Sequence, residues 1–87
     1  MVACMESIVR TSRQLGAAIR RRRRQLTLAQ RELASRLDVR QATISSVEAG
    51  EPGTRLKTIF DALAVLDLEL VVRPRSRGST AEFDELF

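Results

Sequence analysis

Near the middle of the chain, three consecutive residues have side chains that can recognise DNA bases: Arg40, Gln41 and Ala42. An arginine can form two hydrogen bonds with guanine, a glutamine can form two with adenine, and an alanine can contact the methyl group of thymine. This chemistry requires an element that fits into the major groove of DNA, and an α-helix has the right width. Base recognition by these three residues therefore requires a helix at this place in the chain.

Two helices joined by a short turn are predicted around these residues. Apolar residues recur at helical spacing over residues 30–37 and again over residues 40–49. Asp38 lies between the two stretches, and aspartate tolerates the left-handed backbone conformation of a turn. This order of elements is that of a helix-turn-helix, in which the second helix enters the major groove.

Capping residues predict where the flanking helices begin and end. Thr11 and Ser12 are suitable N-caps for a first helix over residues 12–25. Thr27 predicts a capping box with Gln30 for the second helix. Gly50 is expected to stop the third helix.

A fourth helix is predicted from Thr54, which is suited to the N-cap position, to about Leu66. Its apolar residues recur on one face, which we expect to lie in the core. These residues are Leu56, Ile59, Phe60, Leu63 and Leu66.

Residues 68–73 alternate and then become β-branched, and Pro74 follows, which predicts a short strand. Because a lone strand is unstable, we expect it to pair with the same strand of a second copy, whereas a fifth short helix is the alternative. The predicted fold is an all-α bundle of four to five helices with a C-terminal β-strand that pairs across a dimer. The expected dimerisation residues are Leu68, Leu70, Val71 and Val72.

Charge and composition favour a polyanionic partner. The 87 residues suffice for one small domain, and the net charge is +4. Residues 1–81 contain all fifteen basic residues and eight of the eleven acidic ones, a net charge of +7.

With one cysteine and no histidine, we expect no disulfide, metal site, cofactor or enzymatic activity, and no small-molecule ligand. No apolar run is long enough to span a membrane, so we expect a cytoplasmic protein.

The sequence divides into an N-terminal extension over residues 1–10, a domain over residues 11–73 and a flexible tail over residues 74–87. The tail ends in an acidic segment in which Phe83, Leu86 and Phe87 are apolar. Their i, i+3, i+4 spacing is suited to docking one helical turn into a groove. An end of the chain without such a role is the alternative.

The order Q-x-E-L-A-x-x-L-x-V-x-Q-x-T-I-S-x-x-E from Gln30 to Glu48 resembles the Xre and lambdoid phage repressor family. The resemblance extends from about Arg13 to Leu66. It implies that Gln30 binds a phosphate and supports the recognition helix, and that Glu48 pairs with Arg23, which orients a phosphate contact. The residues that it implies face the groove are Arg40, Gln41, Ala42, Thr43, Ser45 and Ser46.

Three residues depart from the family pattern: Thr27 and Asp38 occupy positions where glycine is common, and Ala29 occupies one where threonine is usual. Arg22 lies where the family is usually apolar. We expect the stem of Arg22 to lie along the core and its guanidinium to reach water.

Three features together resemble HipB-type antitoxins: the motif R-Q-A-T-I-S from Arg40 to Ser45, the strand that follows Leu66, and the acidic tail that ends in an aromatic residue. This resemblance implies a homodimer that binds a palindromic DNA operator, represses its own operon and neutralises a HipA-type serine/threonine kinase toxin. Phe83, Leu86 and Phe87 are then the candidate toxin contacts. The alternatives are an Xre-type repressor without a toxin and, in another class, an interaction adaptor that has lost DNA binding.

Overall fold

A computed structural model describes residues 6–76, which form four helices and no strand. The helices are α1 (Ser12–Gln25), α2 (Gln30–Leu37), α3 (Gln41–Ala49) and α4 (Leu56–Val65). Helix α3 packs against both α1 and α2, and α4 packs against α2. The described part of the chain therefore has the predicted helical architecture, with α2 and α3 as the helix-turn-helix.

The core lies where the four helices meet. Helix α1 contributes Ile19, α2 contributes Leu33, and α3 contributes Ile44 and Val47, all of them buried. Leu66 is fully buried at the end of α4. Because burying one such side chain stabilises the fold by about 1.5–3 kcal/mol, this small cluster is the main source of stability.

Helix α1 begins as predicted. The hydroxyl oxygen of Thr11 accepts a hydrogen bond of 3.0 Å from the backbone N–H of Gln14, so Thr11 is the N-cap. This bond satisfies one of the N–H groups that a helix leaves without an internal partner.

All four helices end in the same backbone arrangement. In each case, a residue one or two positions beyond the last helical residue adopts a left-handed backbone conformation, with φ between 56° and 73°. The next N–H then donates to the carbonyl five residues earlier, at 2.8–3.1 Å, which is the pattern of the Schellman motif. The left-handed residues are Thr27, Asp38, Gly50 and Asp67.

The prediction that Thr27 caps α2 is wrong. Thr27 has φ 56° because it terminates α1, and its hydroxyl donates to the carbonyl of Leu26 at 2.6 Å. Ala29 is the N-cap of α2 and has no side-chain acceptor. Its backbone N–H instead donates to Oε1 of Glu32 at 2.8 Å, so the glutamate supplies the capping bond.

Thr54 does not cap α4 either. The N-cap is Arg55, and the Thr54 hydroxyl donates to the carbonyl of Glu51 at 3.0 Å within the preceding loop. At the start of α3, Arg40 is likewise the N-cap rather than a helical residue. Both differences arise because the loops between the helices are one residue longer than the apolar pattern indicates.

The prediction that the whole apolar stripe of α4 is core is wrong in part. Leu63 and Leu66 are buried and Ile59 packs against the core. Leu56 and Phe60 are 63% and 46% exposed. The apolar face of α4 is thus wider than the area that the rest of this small chain covers.

Residues 68–73 form neither the predicted strand nor a fifth helix in the described chain. A strand requires a hydrogen-bonded neighbour, and within residues 6–76 this segment has none. Phe83, Leu86 and Phe87 lie outside the described residues.

Candidate nucleic-acid interface

A buried ion pair links α1 to the recognition helix α3. Nε of Arg23 lies 2.6 Å from Oε2 of Glu48, and Nη2 of Arg23 donates to Oε1 at 3.1 Å. The two residues are only 7% and 8% exposed. The remaining guanidinium nitrogen, Nη1, donates to the carbonyl of Leu28 at 2.7 Å. Each nitrogen of the guanidinium therefore has an acceptor, so none of the three is buried without a hydrogen bond.

Gln30 extends this network from the first residue of α2 to the first residue of α3. Its Nε2 donates to Oε1 of Glu48 at 3.0 Å, and its Oε1 accepts from Nε2 of Gln41 at 3.5 Å. The second bond is at the limit of hydrogen-bond length and is therefore weak. The network thus runs from a buried charge to an exposed glutamine at the start of α3.

The outer face of α3 carries the residues that the sequence assigned to the groove. Gln41, Ala42 and Ser45 are exposed, while Thr43 and Ser46 are half-buried at its edges. Arg40 is exposed and precedes the first turn. The structure therefore brings the six predicted residues together at one helix, opposite the buried side chains of Ile44 and Val47.

Sequence reasoning missed Ala49, which is exposed on the same line of α3 as Ala42 and Ser45. Helical spacing predicts this position, since it is seven residues from Ala42 and four from Ser45. Sequence reasoning also missed a bond of Arg22, whose Nε donates to the carbonyl of Leu66 at 2.9 Å.

The distance between α1 and α3 depends on two glycines. A Cβ atom on Gly16 would lie 2.5 Å from the carbonyl oxygen of Val47 and 2.6 Å from that of Glu48. A Cβ atom on Gly50 would lie 2.5 Å from Cα of Arg13, and the hydroxyl of Ser12 donates to the Gly50 carbonyl at 3.0 Å. These contacts place the recognition helix tightly against α1.

Neither a membrane-spanning helix nor a cluster of metal-ligating side chains is found in the described part of the chain. No helix there is long and apolar enough to cross a membrane. Residues 6–76 also contain no group of three or more side chains that could hold a metal ion.

A model of the HTH_3 family, described as Helix-turn-helix, matches residues 19–72, which is more than half of the chain. The chain belongs to this family. The HTH_3 match covers the Arg23–Glu48 pair, the recognition helix and residues 67–72, which are exposed apart from Leu68. Comparison with curated protein sequences gives no significant match.

Solved structures similar to this HTH_3 protein include HipB complexes. A chain of the HipA–HipB–O2–O3 complex and one of the HipB–O4 20mer complex each have 31% sequence identity and a TM-score of 0.75. Each match covers 82% of this chain and all of the other. A structure described as an MDT protein gives the same values. The resemblance to HipB-type proteins that the sequence indicated is therefore confirmed.

Proposed function

We propose that the protein is a sequence-specific DNA-binding antitoxin that represses its own operon and neutralises a HipA-type kinase toxin. The observation that carries this proposal is the polar outer face of α3, which projects from a helix fixed to α1 by the buried Arg23–Glu48 pair. A fixed recognition helix favours specificity because its side chains keep one position relative to the base edges.

In this proposal, different residues at the start of α3 contact different bases. Gln41 binds adenine, Arg40 binds guanine and Ala42 contacts a thymine methyl group. Thr43, Ser45 and Ser46 supply shorter hydroxyl contacts at the edges of the same face. Gln30 binds a backbone phosphate and holds Gln41, while Arg23 orients that phosphate contact through Glu48.

We also propose that the protein binds DNA as a homodimer. Val71 and Val72 are 67% and 91% exposed, and Leu70 is also exposed, so this part of the chain is apolar without a cover. Pairing of residues 68–73, including Leu68, with the same segment of a second copy would form a two-stranded sheet. Two recognition helices would then face a palindromic operator with half-sites one helical turn, or a multiple of it, apart.

The toxin assignment is supported by the similarity to HipB, one structure of which is described as a complex with HipA. Phe83, Leu86 and Phe87 are the proposed contacts in the tail, because apolar residues separated by acids are suited to docking into a groove. We place the DNA-binding domain at residues 11–73, after an extension over residues 1–10, and the toxin-binding tail at residues 74–87.

The proposal is tested with the DNA that precedes the protein's own gene and with random DNA of equal length. We expect Gln41→Ala to weaken binding to the specific fragment by about 1–3 kcal/mol and to relax the preference at one base pair. Ser35→Ala, on the exposed surface of α2, serves as the control and should change neither. Equal losses of Gln41→Ala on both DNAs would contradict direct reading of bases.

The toxin part is tested separately, with a HipA-type kinase encoded beside this gene. Deletion of residues 83–87 should leave DNA binding intact and weaken kinase binding. If the kinase does not bind the full chain, the protein is a repressor without a toxin. If the kinase binds and no DNA sequence is preferred, the protein is an adaptor.

A further inference from the structure

We propose that Arg22 is a positioning residue that presents residues 67–76, here called the C-terminal arm, to a second copy of the chain. The inference rests on the proposed dimerisation and adds a role for a residue outside the apolar segment. It concerns how the arm is held before the second copy binds.

The beginning of the arm is fixed by bonds from two helices. Nε of Arg22 in α1 donates to the carbonyl of Leu66 at 2.9 Å, and Leu66 is itself fully buried. Immediately after it, Asp67 has φ 59° and the N–H of Leu68 donates to the carbonyl of Leu63 at 2.8 Å. These contacts set the direction in which the chain leaves α4.

The end of the arm is held from the same side of the molecule. Nη2 of Arg10 donates to the hydroxyl oxygen of Ser76 at 3.2 Å. Arg10 is placed in turn by its own backbone N–H, which donates to Oε1 of Gln14 in α1 at 2.6 Å. Both ends of the arm are therefore tied to α1 or to the residue just before its N-cap.

Between these two anchors, residues 70–72 of the arm are apolar and open to solvent. Leu70, Val71 and Val72 are exposed, whereas Leu68 packs against the core. Arg22 and Ala18 line the groove between α1 and the arm. The arm is thus held along α1, and its apolar residues 70–72 are exposed to a second copy.

Holding the arm in place lowers the entropy that is lost when two copies pair. A free segment must give up its backbone freedom at the moment of association, whereas a held segment has already given it up on folding. Arg22 suits this task because its donor reaches the Leu66 carbonyl, which the helix itself leaves without an intrahelical partner, while its stem stays in the groove.

The test compares dimer dissociation constants of full-length variants by analytical ultracentrifugation without DNA. Arg22→Met keeps an apolar stem and removes the donor, and we expect dimerisation to weaken about tenfold, which corresponds to about 1.4 kcal/mol. Arg24→Met removes the same charge from an exposed position of the same helix and should leave dimerisation unchanged. Arg22→Lys restores a donor and should recover most of the loss.

A second variant acts at the other anchor. Ser76→Ala removes the acceptor of Arg10 without touching the core, and we expect it to weaken dimerisation about threefold, a smaller loss because this bond joins two less buried groups. Urea unfolding of each variant as a monomer reports how much of any change is loss of fold stability.

The outcomes separate the two proposals. If the wild-type chain is monomeric at all concentrations, the proposed dimerisation is wrong. If the wild type is dimeric and Arg22→Met lowers only the urea midpoint, or changes dimerisation no more than Arg24→Met does, Arg22 merely caps α4 and the positioning role is wrong.

Discussion

At the scale of single residues, the contact between Arg23 and Glu48 affects the stability of the fold and also fixes the position of α3 against α1. A buried ion pair is costly to form, because both groups lose their hydration, and it becomes strongly unfavourable when one partner is removed. Here Glu48 also accepts from Gln30, so the same carboxylate fixes a helix and a proposed phosphate-binding side chain.

We therefore predict that Glu48→Ala lowers the free energy of unfolding by about 3–5 kcal/mol, since it leaves the Arg23 guanidinium buried without its counter-charge. Urea denaturation measures the loss. The double variant Arg23→Met/Glu48→Met should recover most of the stability and still bind operator poorly, because Gln30 has lost its acceptor. Full recovery of DNA binding in the double variant would contradict the proposed role of the pair in geometry.

The five consecutive arginines of α1 differ in their contacts. Arg21 donates to the hydroxyl of Ser7 at 2.8 Å, Arg22 donates to the Leu66 carbonyl, and Arg23 is buried with Glu48. Arg20 and Arg24 are exposed, and neither makes such a contact with another described residue. Consecutive residues are 100° apart around a helix, so their side chains cannot reach a common surface.

Arg20 is therefore a candidate for a phosphate contact, as is Arg24. We predict that Arg20→Gln weakens binding to specific and random DNA alike and reduces the steepness of log K against log salt by about one. Titrations at several salt concentrations measure this. Arg21→Gln is the matched control, and an unchanged slope for Arg20→Gln would assign that side chain to solvent.

At the scale of helices, the recurring C-terminal arrangement has an energetic cost. A left-handed conformation costs an L-residue about 1–2 kcal/mol, and a β-branched residue such as Thr27 is especially unfavourable there. The arrangement forms nevertheless, because it provides hydrogen bonds for the last carbonyls of each helix and directs the chain back to the core. Leu28, Val39 and Leu68 follow three of these residues and pack against that core.

We predict that Thr27→Gly raises the free energy of unfolding by about 0.5–1 kcal/mol. Relief of the strained backbone outweighs the added freedom of glycine in the unfolded chain. Asp38→Gly should give a smaller gain, because aspartate tolerates this conformation better than threonine does. Urea midpoints measure both, and a Thr27→Gly variant less stable than the wild type would show that the hydroxyl bond to Leu26 matters more than the strain.

The same helix ends show how far the sequence predicts this fold. The start of α1 and the end of α3 follow from Thr11 and Gly50, whose residue types are diagnostic. Thr27 was misassigned because threonine is a common N-cap and a rare left-handed residue, so its type indicates the wrong role. The bond from Arg22 could not be predicted because its acceptor lies 44 residues away in the chain, which local patterns do not reveal.

At the scale of the whole molecule, the exposed apolar residues extend beyond the C-terminal arm. Ile8 lies before α1, and Leu56 and Phe60 lie on α4, all of them exposed. A small domain has limited surface with which to cover such residues, and association with another copy is the usual solution.

We predict that Val72→Lys makes the protein monomeric at concentrations where the wild type is a dimer, because it places a charge in the proposed two-stranded sheet. Sedimentation measures the mass, and truncation before Leu68 should give the same result. Affinity for a palindromic operator should fall strongly in both, whereas affinity for an isolated half-site should change little. A truncated chain that remains dimeric would exclude pairing through the arm.

The two faces of helix α3 have different roles. Ile44, Val47 and Glu48 face inward and supply the packing and the ion pair, while Gln41, Ala42 and Ser45 face outward and add little to the fold. The outward residues can consequently change in evolution without loss of stability, as long as Gly16 keeps α3 at its distance from α1. On the proposed base contacts, one scaffold of this kind would acquire new DNA preferences through a few surface substitutions.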